Sequence, residues 1–269
     1  MNVPKSPISC ALLVKEAREY LLSFEQITPK VLDQHLHAWK RGKPATKAEV
    51  FLKLIKHAQN RQGMPNSIGK VERLRTVLCE FNPDKVLKTY SNWRRLFDAV
   101  KQSVGGPGRF DPDNKRSHWV IYTKSVLSCA SFLKSFKSAK AFHDFVESFD
   151  FNEHLKLALP LLLEAEIFGF GFALACDFLK ECGYQHFLKP DTHLNEICVG
   201  LGITRAVDDY GVFKDAVAYC TASKQTPYEF DKLLWLIGSG NFSLSGIKVP
   251  VKKKEFIRKM QMLAKSGST

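Results

Sequence analysis

Two glycines one residue apart, in Phe168-Gly169-Phe170-Gly171, and a carboxylate, Asp191, twenty residues past the second glycine are the positions best fitted for chemistry. Glycine tolerates positive φ and has no side chain to screen its amide. A Gly-x-Gly turn between helices can therefore present several N–H groups to one anion. The helix that follows adds partial positive charge at its N-terminus, which makes the turn a seat for a phosphate. Such contacts anchor a nucleic acid without reading its sequence. Asp191 stands in Lys189-Pro190-Asp191-Thr192-His193, at the start of a further helix. A carboxylate there ordinarily caps the helix, accepting from N–H groups two or three residues on. Capping also fixes its orientation, and the helix dipole keeps it ionised. A group held that way can stabilise developing positive charge or align a water.

The elements that must carry these residues read as helices almost throughout. Leu12, Leu13, Ala17, Tyr20, Leu21 and Phe24 recur at three- and four-residue steps. Thr28-Pro29 has the form of a cap followed by proline, and Thr46 with Glu49 stands at capping-box spacing before Val50, Leu52, Leu54 and Ile55. Asn82-Pro83 opens another helix, and apolar patterns follow from about Ser117 and from Ser138. Residues 152–167 form the first arm of the hairpin, with Pro160 expected to kink it. Further helices are expected over 207–220, from Thr226-Pro227 with Glu229 at box spacing, and through the basic tail around Lys252 to Lys259. Gly238-Ser239-Gly240 reads as a helix stop. Gly105-Gly106-Pro107-Gly108 opens the most flexible internal segment. No stretch alternates long enough to insist on a strand, so the fold class is all-α.

Composition bounds the partners. Lys and Arg number 40 against 27 Asp and Glu, a formal charge of +13 over 269 residues, which favours a polyanion. No run approaches the ~18 apolar residues of a membrane span, and the N-terminal stretch lacks the form of a secretion signal. A cytoplasmic location is expected, nucleoid-associated in a prokaryote. Seven cysteines without C-x-x-C pairs fit reduced, buried thiols, and no His/Cys spacing suggests a metal.

Phe168-Gly169-Phe170-Gly171 taken with Asp191-Thr192-His193 resembles the helix-hairpin-helix DNA glycosylase superfamily, the endonuclease III-like base-excision fold. The family pattern closes on a short Leu-Gly-hydrophobic ending, here Gly200-Leu201-Gly202-Ile203. The resemblance is specific over 160–203, extends as an order of helices over 45–243, and is silent at both tails. It implies a two-lobed helical protein with an interdomain cleft for a flipped-out nucleotide. One lobe would be a bundle over 45–183 ending in the hairpin. The other would join 1–44 to 184–269 and carry Asp191. The implied partner is double-stranded DNA and the implied state a monomer without cofactor. Gly169, Phe170, Gly171, Phe172, Lys189 and His193 would contact DNA, and Asp191 would be the catalytic carboxylate beside a sugar whose bond to a base is breaking.

The sequence departs from the family at two points. Bifunctional members carry a Schiff-base lysine two residues after the second hairpin glycine, where Ala173 stands here. That implies a monofunctional enzyme using water, with Lys180 and Lys189 read as solvated or phosphate-facing. Beyond Cys198 only Cys220 remains, so the four-cysteine iron–sulfur motif of some members has no counterpart. In the resembling fold a polar side chain near the start of the bundle fills the space a flipped base vacates. The amide-rich stretch after Ala58 offers Gln59 first, then Asn60 or Gln62, while an ordinary surface loop explains it nearly as well. Trp119, Tyr122 and Trp235 could wall a base pocket but fit core positions better. His193 could orient Asp191, contact a phosphate or lie on the helix surface. Two functions stand: a base-excising glycosylase, and a catalytically silent protein that binds DNA structure. The carboxylate, which would repel phosphate, favours the first. The base is open among oxidised purines, alkylated bases, deaminated pyrimidines and the modified bases of viral DNA.

Overall fold

A computed structural model describes residues 8–61, 63–104 and 110–266. Gln62 and the glycine-rich residues 105–109 lie outside the described residues. The chain divides into two compact units, Lys43–Phe178 and a discontinuous one that joins Met1–Gly42 to Leu179–Thr269. In chain order, α1 (Cys10–Leu22) and α2 (Pro29–Leu36) open the discontinuous unit. The contiguous unit holds α3 (Lys47–Ala58), α4 (Met64–Ile68), α5 (Pro83–Thr89), α6 (Trp93–Val104), α7 (His118–Lys134), α8 (Ala139–Ser148) and α9 (Glu153–Glu166). Helix α10 (Phe172–Glu181) starts in the contiguous unit and ends in the other. The chain finishes with α11 (Thr192–Gly200), α12 (Asp209–Ala222), α13 (Pro227–Ser239) and α14 (Lys253–Ser266). An antiparallel pair, β1 (Asn241–Phe242) with β2 (Ile247–Lys248), is the only sheet among the described residues. The fold is all-α, and none of its described helices is long and apolar enough to cross a membrane.

The local starts follow the sequence closely. Thr28 accepts from the Val31 amide ahead of Pro29, and Thr46 and Glu49 form both bonds of a capping box. At α13 the box is half made. Thr226 accepts from the Glu229 amide, but the Glu229 carboxylate turns to Arg18, whose guanidinium also holds Asp33. Helix α9 continues through Pro160.

In the contiguous unit α7 is the central element, with α3, α4, α5 and α6 packed on it. Its Trp119, Tyr122, Val126, Cys129 and Leu133 are buried, each apolar side chain contributing about 1.5–3 kcal/mol relative to exposure. In the discontinuous unit α13 plays that part, packed by α1, α2, α11, α12 and α14. None of the seven cysteines is in a disulfide, and six of them are buried.

Candidate functional site

The hairpin is bonded to α7 through Ser128 and packs closely on Ser125. Ser128 Oγ accepts from the Phe168 amide at 2.8 Å. At Gly169, φ is +83°, and a Cβ there would fall 2.3 Å from Ser125 Oγ, so backbone and neighbour both require glycine. Gly171 is different: a Cβ would meet nothing within 4 Å. Its missing side chain leaves the approach to the α10 N-terminus open. Phe170 and Phe172 turn their rings inward at 5% and 6% exposure, and the Phe170 amide already donates to Ile167 O at 3.1 Å. The ring and the amide of Phe170 are thus both already spent, against the expectation that Phe170 contacts DNA. The amides of Gly169, Gly171 and Ala173 have no acceptor among the described residues, which is what an anion seat at a helix N-terminus needs.

Asp191, Lys189 and His193 lie together in the other unit. Asp191 is the N-cap of α11, as its position before the helix suggests, and its Oδ1 accepts from His193 N at 2.9 Å and Leu194 N at 3.1 Å. Both bonds fall on one oxygen. Oδ2 accepts none from the described residues, so a half-buried carboxylate is held in place with one oxygen unspent.

The support comes from α13. Asp231 and Gly238 are seven residues apart, on one face of that helix. A Cβ at Gly238 would sit 2.6 Å from His193 Cβ. Gly238 is therefore a close-approach residue inside the helix, and Gly240, at φ +63°, is the stop. His193 is partly buried with Nδ1 unpartnered, which removes the helix-surface reading.

Lys180 corrects a second expectation. It is 4% exposed and paired with Asp231, which is 1% exposed, so it is neither solvated nor phosphate-facing. Burial pushes the Asp231 carboxyl up, Lys180 opposes the shift, and the charge of Asp191 adds to it. Glu181 and Lys232 pair beside them at 2.6 Å. Lys189 is half-buried.

The amide-rich stretch lies in the unit that carries the hairpin. Gln59 is half-buried with its side chain bonded to Gly69 O, and Asn60 is exposed. Trp119 and Tyr122 are core residues at 1% exposure, while Trp235 is partly exposed. No three His, Cys, Asp or Glu side chains converge as metal ligands among the described residues. Sequence reasoning missed Ser125, Ser128, Gly238 and Asp231. Each is separated by about forty residues or more from the position it supports, and none has a local signature.

No family model and no curated protein sequence matches the chain. Among solved structures it is similar to the 8-oxoguanine DNA glycosylase of Thermotoga maritima, at 14% identity and a TM-score of 0.50 over 84% of this chain and 96% of that one. It is also similar to the 8-oxoguanine glycosylase/lyase of Methanocaldococcus jannaschii in complex with DNA containing 8-oxoguanine, at 18% identity and a TM-score of 0.50 over the same shares. At these identities the likeness is one of fold.

Proposed function

We propose that this chain is a monofunctional DNA N-glycosylase. The observation that carries the reading is Asp191: a carboxylate anchored through Oδ1 at a helix N-terminus, with Oδ2 unspent, twenty residues after a hairpin with open amides. The likeness of fold to two 8-oxoguanine glycosylases supports it. The amides of Gly169, Gly171 and Ala173 take a phosphate of duplex DNA, and the exposed Asn60, with Gln59 as its neighbour, fills the space left by the extruded nucleotide. The bond between the sugar C1′ and the base nitrogen breaks, and its electron pair leaves with the base. Positive charge grows on the sugar beside Asp191. A water adds to C1′ and gives its proton to Asp191, from which it passes through solvent to the anionic departed base, and the products are an abasic site and a neutral free base.

Water acts in place of an amine for two reasons. Ala173 has no nucleophile, and Lys180 is buried with its amine bonded to Asp231. Borohydride should therefore trap no covalent species.

The test is base release from duplexes that each carry one modified base, a panel spanning 8-oxoguanine, alkylated and deaminated bases and bulky modified cytosines. Losing one fixed electrostatic group typically costs on the order of 10²–10³ in rate. Asp191→Asn should lose at least about 10²-fold on whichever base the wild type releases. Full activity in Asp191→Asn would refute the mechanism. Binding without release across the panel would return the protein to the silent DNA-binding class.

A further inference from the structure

Beside the hairpin, in the same unit, lies an open groove of about 480 Å³ lined by Arg61, Lys115, Arg116, His118, Ile121 and Phe168. We propose that this groove seats an unpaired nucleotide, its phosphate against the three cationic side chains and its base on the Phe168 ring. The inference draws on the reading above only in taking DNA as the polyanion.

The cations of the groove come from two segments more than fifty residues apart. Arg61 precedes α4, and Lys115 and Arg116 lead into α7, whose first residue is His118. Ser67 on α4 lies 2.8 Å from His118 Nδ1, and a Cβ at Gly63 would come 3.3 Å from the same ring. The two segments are thus in direct contact, and the imidazole is fixed from α4.

Several basic side chains of this unit sit on carboxylates, among them Lys47 on Asp84, Lys56 on Glu72 and Arg94 on Asp113. The side chains of Arg61, Lys115 and Arg116 have no carboxylate at ion-pair distance among the described residues, although all three are exposed around one hollow. Convergent cations without counter-charges raise the local concentration of an anion.

Phe168 supplies the other half. It is 51% exposed, the most exposed phenylalanine among the large apolar side chains at the surface. Its backbone is pinned by Ser128, so the ring is presented by a rigid turn. Lys124 Nζ lies 5.8 Å from the Phe168 ring centre and 4.7 Å from that of Trp93, which continues the surface away from the groove as alternating aromatic and cation. A cationic hollow rimmed by an exposed ring is the form in which proteins hold unpaired nucleic acid, phosphate by charge and base by stacking. A paired base has both faces covered in the duplex and cannot use the ring. The occupant is therefore an unpaired nucleotide, and a hollow of this volume is within the range of small-molecule sites.

The test uses full-length protein and DNA without modified bases, so it is independent of base release. Binding is measured by fluorescence anisotropy, over a salt series, on a paired duplex and on the same duplex with a one-nucleotide bulge. Wild type should prefer the bulge. Phe168→Ala should bind the bulged duplex about tenfold more weakly and the paired duplex unchanged. Arg61→Ala with Arg116→Ala should lower the slope of log K against log salt on the bulged duplex by about two. Lys254→Ala with Arg258→Ala, equal in charge removed but placed on α14, should leave the preference for the bulge intact. The proposal is overturned by equal wild-type affinity for both duplexes. Equal weakening of both by Phe168→Ala overturns it too, as does an unchanged salt slope in the double arginine variant. None of those outcomes bears on Asp191.

Discussion

Gly238→Ala tests how α13 holds the acid. Glycine to alanine inside a helix ordinarily stabilises by up to about 1 kcal/mol through backbone entropy and propensity. Here the new methyl would stand 2.6, 2.7 and 2.9 Å from His193 Cβ, Cγ and Nδ1. Ordinary contact begins near 3.4 Å, so His193 and the α11 N-terminus must retreat by roughly 1 Å, and overpacking of that kind costs about 1–3 kcal/mol. The contact outweighs the propensity, and the expected net effect is a loss of about 1–2 kcal/mol. The retreat also moves Asp191, which is tied through Oδ1 to His193 N. A misplacement of about 1 Å can cost on the order of 10²-fold in rate. Urea unfolding and single-turnover base release measure the two effects separately. In a His193→Gly background no Cβ remains to collide with, and the same substitution should become neutral or stabilising. A Gly238→Ala protein more stable than wild type with undiminished base release would refute the close-approach account.

Two further outcomes follow from buried charge. Lys180→Met leaves Asp231 buried and unpaired, which should cost about 3–5 kcal/mol, whereas Lys180→Met with Asp231→Leu should return to within about 1 kcal/mol of wild type. Urea unfolding of the cycle decides, and a single variant costing under about 1 kcal/mol would remove the pair from the account. His35 is buried against Phe242, and burial, with help from Lys232 and Arg41, lowers it from 6.5 to about 4. The folded state therefore holds it neutral while the unfolded chain protonates near 6.5. Its stabilising contribution is complete above that pH and is lost as pH falls from 6.5 towards 4, by about 2–3 kcal/mol. His35→Leu should lack this part of the acid sensitivity, and identical pH slopes for the two proteins would contradict a buried neutral imidazole.

What was legible in the sequence was local. Thr28, Thr46 and Asp191 cap their helices because a cap is settled within three residues, and the all-α class followed from apolar spacing. The errors arose where a partner came from far along the chain. Glu229 left its capping box because Arg18, 211 residues away, offered a charged partner. Lys180 reads from sequence as solvated or phosphate-facing; only the arrival of Asp231, 51 residues on, makes its burial tolerable. Gly238 passed for a stop signal because sequence does not tell a glycine that ends a helix from one that makes room for His193. The groove at Phe168 had no signature at all, since its cations come from two segments that meet only in the fold.

The discontinuous unit has a consequence for how the chain is made. Helices α1 and α2 leave the ribosome long before α13, the element they pack on. Arg18 must wait for Glu229, and the Ile8 carbonyl for Tyr219, each 211 residues on. Closing a loop of that size costs about 5 kcal/mol of chain entropy before any contact returns it. During synthesis the contiguous unit can therefore condense while the N-terminal helices stay unpartnered, their apolar faces open to capture by chaperones or by a neighbouring nascent chain. Asp191 acquires its setting only when α13 arrives. The setting of Asp191 is thus tied to the synthesis of α13, and a polypeptide truncated before α13 would keep the hairpin proposed to take a phosphate and lack the helix that packs on His193.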